Sequence, residues 1–122
     1  MSNEWLGRGI MLFENKDYST ALRAFERAIK TGEDSFKLYA YIAQCYLALS
    51  QFVEALEMIE EAILLSPLDS QGYVIKGKIL INLGRYDEAR KACNLALGRT
   101  INKQPGHAEE LNRRLQNLGY LW

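Results

Sequence analysis

No charge of one sign dominates this 122-residue sequence: 15 Lys and Arg stand against 15 Asp and Glu. A nucleic-acid partner gripped by bulk electrostatics is therefore not expected, since such binding needs a net positive face. Histidine is almost missing. His107 stands alone, and the neighbouring Glu109 and Glu110 do not complete the ligand set of a metal centre. The two cysteines, Cys45 and Cys93, have no CxxC spacing and read as free, helix-packing thiols in a reducing compartment, which points to a cytoplasmic protein. No apolar run approaches the ~20 residues of a membrane span. The start, MSNEWLGRG, has neither the basic stretch nor the apolar block of a secretory signal. There is also no glycine-rich phosphate loop, no β-alternation long enough for a strand, and no constellation of catalytic side chains. The expected protein is not an enzyme and carries no cofactor.

Hydrophobic residues make up 48% of the chain, and they recur with a fixed step. Trp5, Tyr39 and Tyr73 are each 34 residues apart. The same step relates Gly9, Ala43 and Gly77; Ala21, Ala55 and Ala89; and Ala28, Ala62 and Ala96. It also relates Tyr18, Phe52 and Tyr86, and Phe25, Ile59 and Cys93. A period of this length marks a stack of like units. The units run over 2–35, 36–69 and 70–103.

Inside each unit the pattern is helical. Tyr39, Ile42, Ala43 and Tyr46 form one stripe, and Phe52, Ala55, Leu56, Ile59, Ala62 and Ile63 form another. The break between two such stripes falls at 49–51 in the second unit and at 83–85 in the third, where Gly84 suits a left-handed helix end. In the first unit the break is 15–17, with Asn15 or Asp17 expected in the same conformation. Ser66-Pro67 ends the second hairpin. Gly or Ala at the crossings lets two antiparallel helices approach closely.

These columns resemble the tetratricopeptide repeat (TPR) family. The second repeat carries the resemblance best, at Tyr39, Ile42, Ala43, Tyr46, Ala55, Ile59, Ala62 and Pro67. The first shows it at Trp5, Gly9, Leu12, Ala21, Phe25 and Ala28, and the third at Tyr73, Gly77, Leu80, Ala89 and Ala96. The resemblance implies an all-α fold: a right-handed α-α superhelix, or solenoid, of three helical hairpins. Residues 104–122 read as a capping helix, with Ala108, Leu111, Leu115 and Leu118 on one face, followed by an apolar Tyr120-Leu121-Trp122 tail. Arg8, Lys76 and Arg90 depart from the family pattern, which has apolar residues there.

In the family, the first helix of each repeat lines a concave face that holds a partner. Carried onto this frame, the groove residues are Asn3, Leu6, Gly7, Ile10, Phe13 and Glu14 from the first repeat and Lys37, Ala40, Tyr41, Gln44, Leu47 and Ala48 from the second. The third contributes Gln71, Val74, Ile75, Lys78, Ile81 and Asn82. Some members grip a chaperone's C-terminal carboxylate with a Lys/Asn/Arg clamp. The corresponding positions here are Leu6, Ile10, Tyr41, Gln71 and Ile75, which leave a carboxylate poorly compensated. The expected function is a protein-protein interaction adaptor that takes a peptide or amphipathic helix of another protein without a carboxylate clamp. The alternative is a self-associating scaffold unit that forms a homo-oligomer through the groove or the Tyr-Leu-Trp tail.

Overall fold

The computed structural model describes residues 3–100. The remainder of the third repeat, the cap over 104–122 with His107, and the Tyr120-Leu121-Trp122 tail lie outside the described residues. Six helices follow one another: α1 Glu4–Glu14, α2 Tyr18–Lys30, α3 Phe36–Ala48, α4 Phe52–Leu65, α5 Ser70–Asn82 and α6 Tyr86–Thr100. There is no strand among the described residues. The helices pair as α1 with α2, α3 with α4 and α5 with α6, as three stacked hairpins require. α6 is the longest, with 15 residues.

Local chemistry sets the ends. The first helix of every hairpin has a side-chain cap. Asn3 accepts from the amides of Trp5 and Leu6, Ser35 from Leu38, and Asp69 from Gln71. Each satisfies a backbone donor that the first helical turn leaves unpaired. Asn3 also donates from Nδ2 to the Ala28 carbonyl at 3.0 Å and to Thr31 Oγ1 at 2.9 Å, which ties the start of α1 to the end of α2.

Inside each hairpin the chain turns through one left-handed residue: Lys16 at φ 64°, Ser50 at 61° and Gly84 at 74°. The turn is closed the same way three times. Asp17 N–H donates to Leu12 O, Gln51 to Tyr46 O and Arg85 to Leu80 O, each at 2.8–2.9 Å. This is the Schellman arrangement. In the first repeat the left-handed residue is Lys16, and not Asn15 or Asp17. The turn geometry is set by the crossing of α1 on α2, so whichever residue falls there must adopt it.

Successive hairpins share their cores. One cluster joins Ala21, Phe25 and Ala28 of α2 to Leu38, Ile42 and Cys45 of α3. The next joins Ala40 and Ala43 of α3, Ala55, Ile59 and Ala62 of α4, and Ile75 and Ile79 of α5. The small columns of the 34-residue period are all buried. α1 also touches α3, and α3 touches α5, so the first helices stand side by side as one wall. Burial excludes each Cys from solvent and raises both thiol pKa values, that of Cys45 to about 12. No helix among the described residues is long and apolar enough to cross a membrane.

Candidate binding groove

The wall of first helices brings residues far apart in the sequence to one cavity of about 180 Å³. Phe13 of α1, Tyr18 of α2, Gln44, Leu47 and Ala48 of α3, and Ile75 and Lys78 of α5 line it. Phe13, Gln44, Leu47 and Ala48 come from the last turns of their helices, Ile75 and Lys78 from the body of α5, and Tyr18 is the first residue of α2. The cavity therefore lies where all three hairpins converge. Its floor is apolar. Ile75 is 2% exposed and belongs to the central core cluster. Phe13 meets Tyr18 edge-on, with ring centroids 5.6 Å apart, and meets Tyr41 edge-on at 5.1 Å. Such T-shaped pairs fix ring orientation and hold the aromatic wall in place.

The polar groups sit at the rim. Lys78 is exposed, and no carboxylate is among the residues lining the cavity. Gln44 donates one amide N–H to the Ala40 carbonyl at 3.2 Å, which pins its side chain along α3 and keeps the amide oxygen as an acceptor. A segment with an apolar side chain for the floor and an acceptor for Lys78 matches this lining. The lining holds no nucleophile beside a base, and among the described residues no group of three or more His, Cys, Asp or Glu is placed to hold a metal ion.

Of the residues the sequence assigns to the groove, Phe13, Gln44, Leu47, Ala48, Ile75 and Lys78 border this cavity together. Leu6, Ile10 and Tyr41 are half-buried and packed on the first core cluster, with the Tyr41 ring stacked on Phe25 at 6.0 Å. Val74 is half-buried, whereas Lys37 and Gln71 are exposed. None of these six borders the cavity. Tyr18 is the lining residue that sequence reasoning missed. It belongs to the second helix, and the regular column it shares with Phe52 and Tyr86 assigns it to packing. Its position directly after the turn was the available signal.

The matching family is described as anaphase-promoting complex, cyclosome, subunit 3, over residues 14–94. Among curated relatives, the protein STIP1 homolog of Dictyostelium discoideum is 33% identical over 96 residues, 79% of this chain and 17% of its own length. Heat shock protein STI1 of Saccharomyces cerevisiae is 33% identical over 97 residues, 79% of this chain and 16% of its length. The chain thus spans about a sixth of the length of these relatives. Among solved structures, the TPR2B domain of yeast Sti1 in complex with an Hsp70 peptide has a TM-score of 0.82 at 21% identity, covering 94% of this chain and 95% of that one. The second TPR domain of human RPAP3 in complex with an HSP70 peptide has a TM-score of 0.77 at 25% identity and covers 90% of each. The 34-residue period, the three hairpins and the match over 14–94 together place the chain in the tetratricopeptide repeat family, by way of the subunit 3 family of the anaphase-promoting complex.

Proposed function

We propose that this chain is a cytosolic adaptor module that holds a peptide or helix of a partner protein in the concave groove, without a carboxylate clamp. The carrying observation is the cavity where α1, α3 and α5 converge, with an apolar floor of Phe13, Leu47 and Ile75 and a cation at Lys78. The relatives named above include domains solved with Hsp70 peptides, which supports a protein ligand in this groove. The clamp positions support a different anchor. Leu6 and Ile10 are apolar and half-buried, Tyr41 is engaged with Phe13 and Phe25, and Ile75 belongs to the core. A terminal carboxylate seated there would lose water without gaining charged donors. The predicted ligand is therefore an internal segment with one large apolar side chain and a nearby acidic one.

The test uses Ala48, which is exposed yet lines the cavity. A photo-crosslinking amino acid at position 48 is expected to capture a partner in cells. Ala48→Arg, which fills the cavity without entering the core, should abolish recovery of that same partner while leaving the circular dichroism spectrum intact. Fluorescence polarisation with a labelled acidic peptide bearing a free C-terminal carboxylate should show no saturable binding. Saturable binding of that peptide, lost on amidating its terminus, would overturn the clamp-free reading. Equal partner recovery by wild type and Ala48→Arg would overturn the groove itself. Sedimentation of the purified chain separates out the alternative occupant: a self-associating scaffold would show dimer growing with concentration, and that growth would disappear in Ala48→Arg.

A further inference from the structure

A second cavity, of about 310 Å³, lies on the first repeat and shares no lining residue with the groove. Trp5, Arg27, Lys30 and Thr31 line it. The Trp5 indole has two guanidinium groups against it, Arg8 with Cζ 4.7 Å and Arg27 with Cζ 4.9 Å from the ring centroid. The two arginines are thus at most about 10 Å apart. This lies close to the ~8 Å Debye length of physiological salt, so their repulsion is only partly screened. Lys30 adds a third cation to the same wall.

The 34-residue frame does not call for these charges. The counterparts of Arg8, Arg27 and Lys30 are Ile42, Glu61 and Leu64 in the second repeat and Lys76, Leu95 and Gly98 in the third, so the three cations come together only in the first. The counterpart of Trp5, Tyr39, instead donates its hydroxyl to Asp34 Oδ1 at 3.1 Å. Nor does any described carboxylate form an ion pair with these cations. Among the described residues the only ion pairs are Arg85 with Glu88 and Arg90 with Asp87. The C-terminal end of α2 supplies some compensation for Arg27 and Lys30, equivalent to roughly half a negative charge. About two and a half positive charges around one aromatic ring are left without a described ion-pair partner. Stacking on indole fixes a guanidinium by its flat face and leaves its N–H edge free for a planar or tetrahedral oxyanion. The Thr31 hydroxyl is already engaged with the Arg27 and Ala28 carbonyls and with Asn3, so it forms wall and not donor.

We propose that this cavity binds a phosphate monoester, as carried by a phosphorylated side chain of a partner protein. Such a group brings about −1.5 to −2 charges at neutral pH, which matches the unbalanced charge of the cluster better than a single carboxylate does. Arg27 offers its N–H edge to the oxygens from the cavity wall, Lys30 adds a point charge, Arg8 adds its charge from the same ring, and Trp5 is the platform against which both guanidiniums rest.

The experiment is a ¹⁵N–¹H titration of the full chain with a phosphoserine pentapeptide, its unphosphorylated twin and inorganic phosphate, at constant ionic strength. The Trp5 indole N–H and the Thr31 amide are expected to shift saturably with the phosphopeptide, with a dissociation constant near or below about 1 mM. Arg8→Gln combined with Arg27→Gln should weaken this about tenfold, whereas Arg90→Gln should leave it unchanged. Equal affinity for inorganic phosphate keeps the phosphate site and assigns the free ion as its source. Equal shifts from the unphosphorylated peptide would overturn the proposal. So would the absence of saturation by about 20 mM, or an unchanged affinity in the double variant. Both arginines are exposed, so the double variant is expected to fold. Should its spectrum collapse, Arg8→Lys with Arg27→Lys keeps the charge and removes the fork, and an unaltered affinity there would equally overturn the proposal.

Discussion

Gly9 and Gly77 stand at the same position of repeats one and three, yet alanine should move stability in opposite directions at the two. Both are buried within a first helix, so alanine gains the backbone entropy that glycine forgoes, roughly 0.5–1 kcal/mol. The partner across the helix crossing decides the rest. At Gly77 an added Cβ finds nothing nearer than the Ala89 carbonyl at 3.7 Å, an ordinary contact. At Gly9 it would fall inside the Phe25 ring, 2.8 Å from Cζ and closer still to two other ring carbons. Phe25 is fully buried and has Tyr41 stacked on it, so its ring cannot move aside freely. Overpacking of this kind costs about 1–3 kcal/mol, which exceeds the helix gain. The net expectation is a loss of about 1–2 kcal/mol for Gly9→Ala and a gain of about 0.5 kcal/mol or more for Gly77→Ala. At roughly 4 °C per kcal/mol, thermal unfolding followed by circular dichroism should separate the two variants by about 6 °C or more. The second repeat explains why. There Ala43 is tolerated in the same core cluster as Ile59, the counterpart of Phe25. Phe25→Ile should therefore rescue Gly9→Ala, giving a double-mutant coupling above about 0.5 kcal/mol. A raised midpoint for Gly9→Ala, or additive effects in the cycle, would refute the steric reasoning.

Other substitutions test other parts of the same physics. Ser50 and Lys16 hold the left-handed turn conformation that Gly84 holds in the third repeat, so Ser50→Gly and Lys16→Gly should each raise stability by about 1 kcal/mol in urea unfolding; no change would mean that their side chains contribute as much as the strain costs. The Cys45 thiol, whose pKa burial pushes to about 12, should resist a thiol reagent at pH 8 in the folded protein and react at once in denaturant. The same group makes stability pH-dependent. Its folded pKa lies above its unfolded value, so its contribution is complete below about pH 9. It falls by about 1.4 kcal/mol per pH unit above that, and comparison with Cys45→Ala isolates this slope from the tyrosines.

How much of this was legible in the sequence depends on whether a feature repeats. Three hairpins and their buried small columns follow from a period that three copies state independently, and one copy's exceptions are outvoted by the others. The turn in the first repeat shows the limit. Asn15 and Asp17 favour a left-handed conformation, yet Lys16 adopts it, because three Schellman closures in register outweigh one residue's preference. A local propensity of a few tenths of a kcal/mol cannot shift a helix crossing that buries Phe25. The groove was legible only in part for a related reason. The family frame says which helix face turns inward, and Phe13, Gln44, Ile75 and Lys78 do meet there. It does not say how deep each side chain sits. Leu6, Ile10 and Tyr41 are drawn into the first core, where Trp5, Phe13 and Phe25 need apolar neighbours.

The cluster around Trp5 was the least legible feature, since it depends on residues that the repeat does not share. Arg8 read only as a departure from the family pattern, and Arg27 and Lys30 stand in no recurring column. Their significance arises from the hairpin, which brings α1 and the end of α2 together on one indole. In a protein built from like units, fold is written in the columns that recur, whereas a site specific to one unit is written in the positions that break them. In the first repeat Arg8 departs from the family pattern, Arg27 stands at a position where no residue type recurs, and both meet the same ring. Like charges gathered on one ring, with no ion-pair partner among the described residues, repel one another, and a bound anion relieves that repulsion. Phosphate should therefore raise the unfolding midpoint of the wild-type chain above that of Arg8→Gln, Arg27→Gln at matched ionic strength, and an equal rise in both would leave the broken columns without a ligand to explain them.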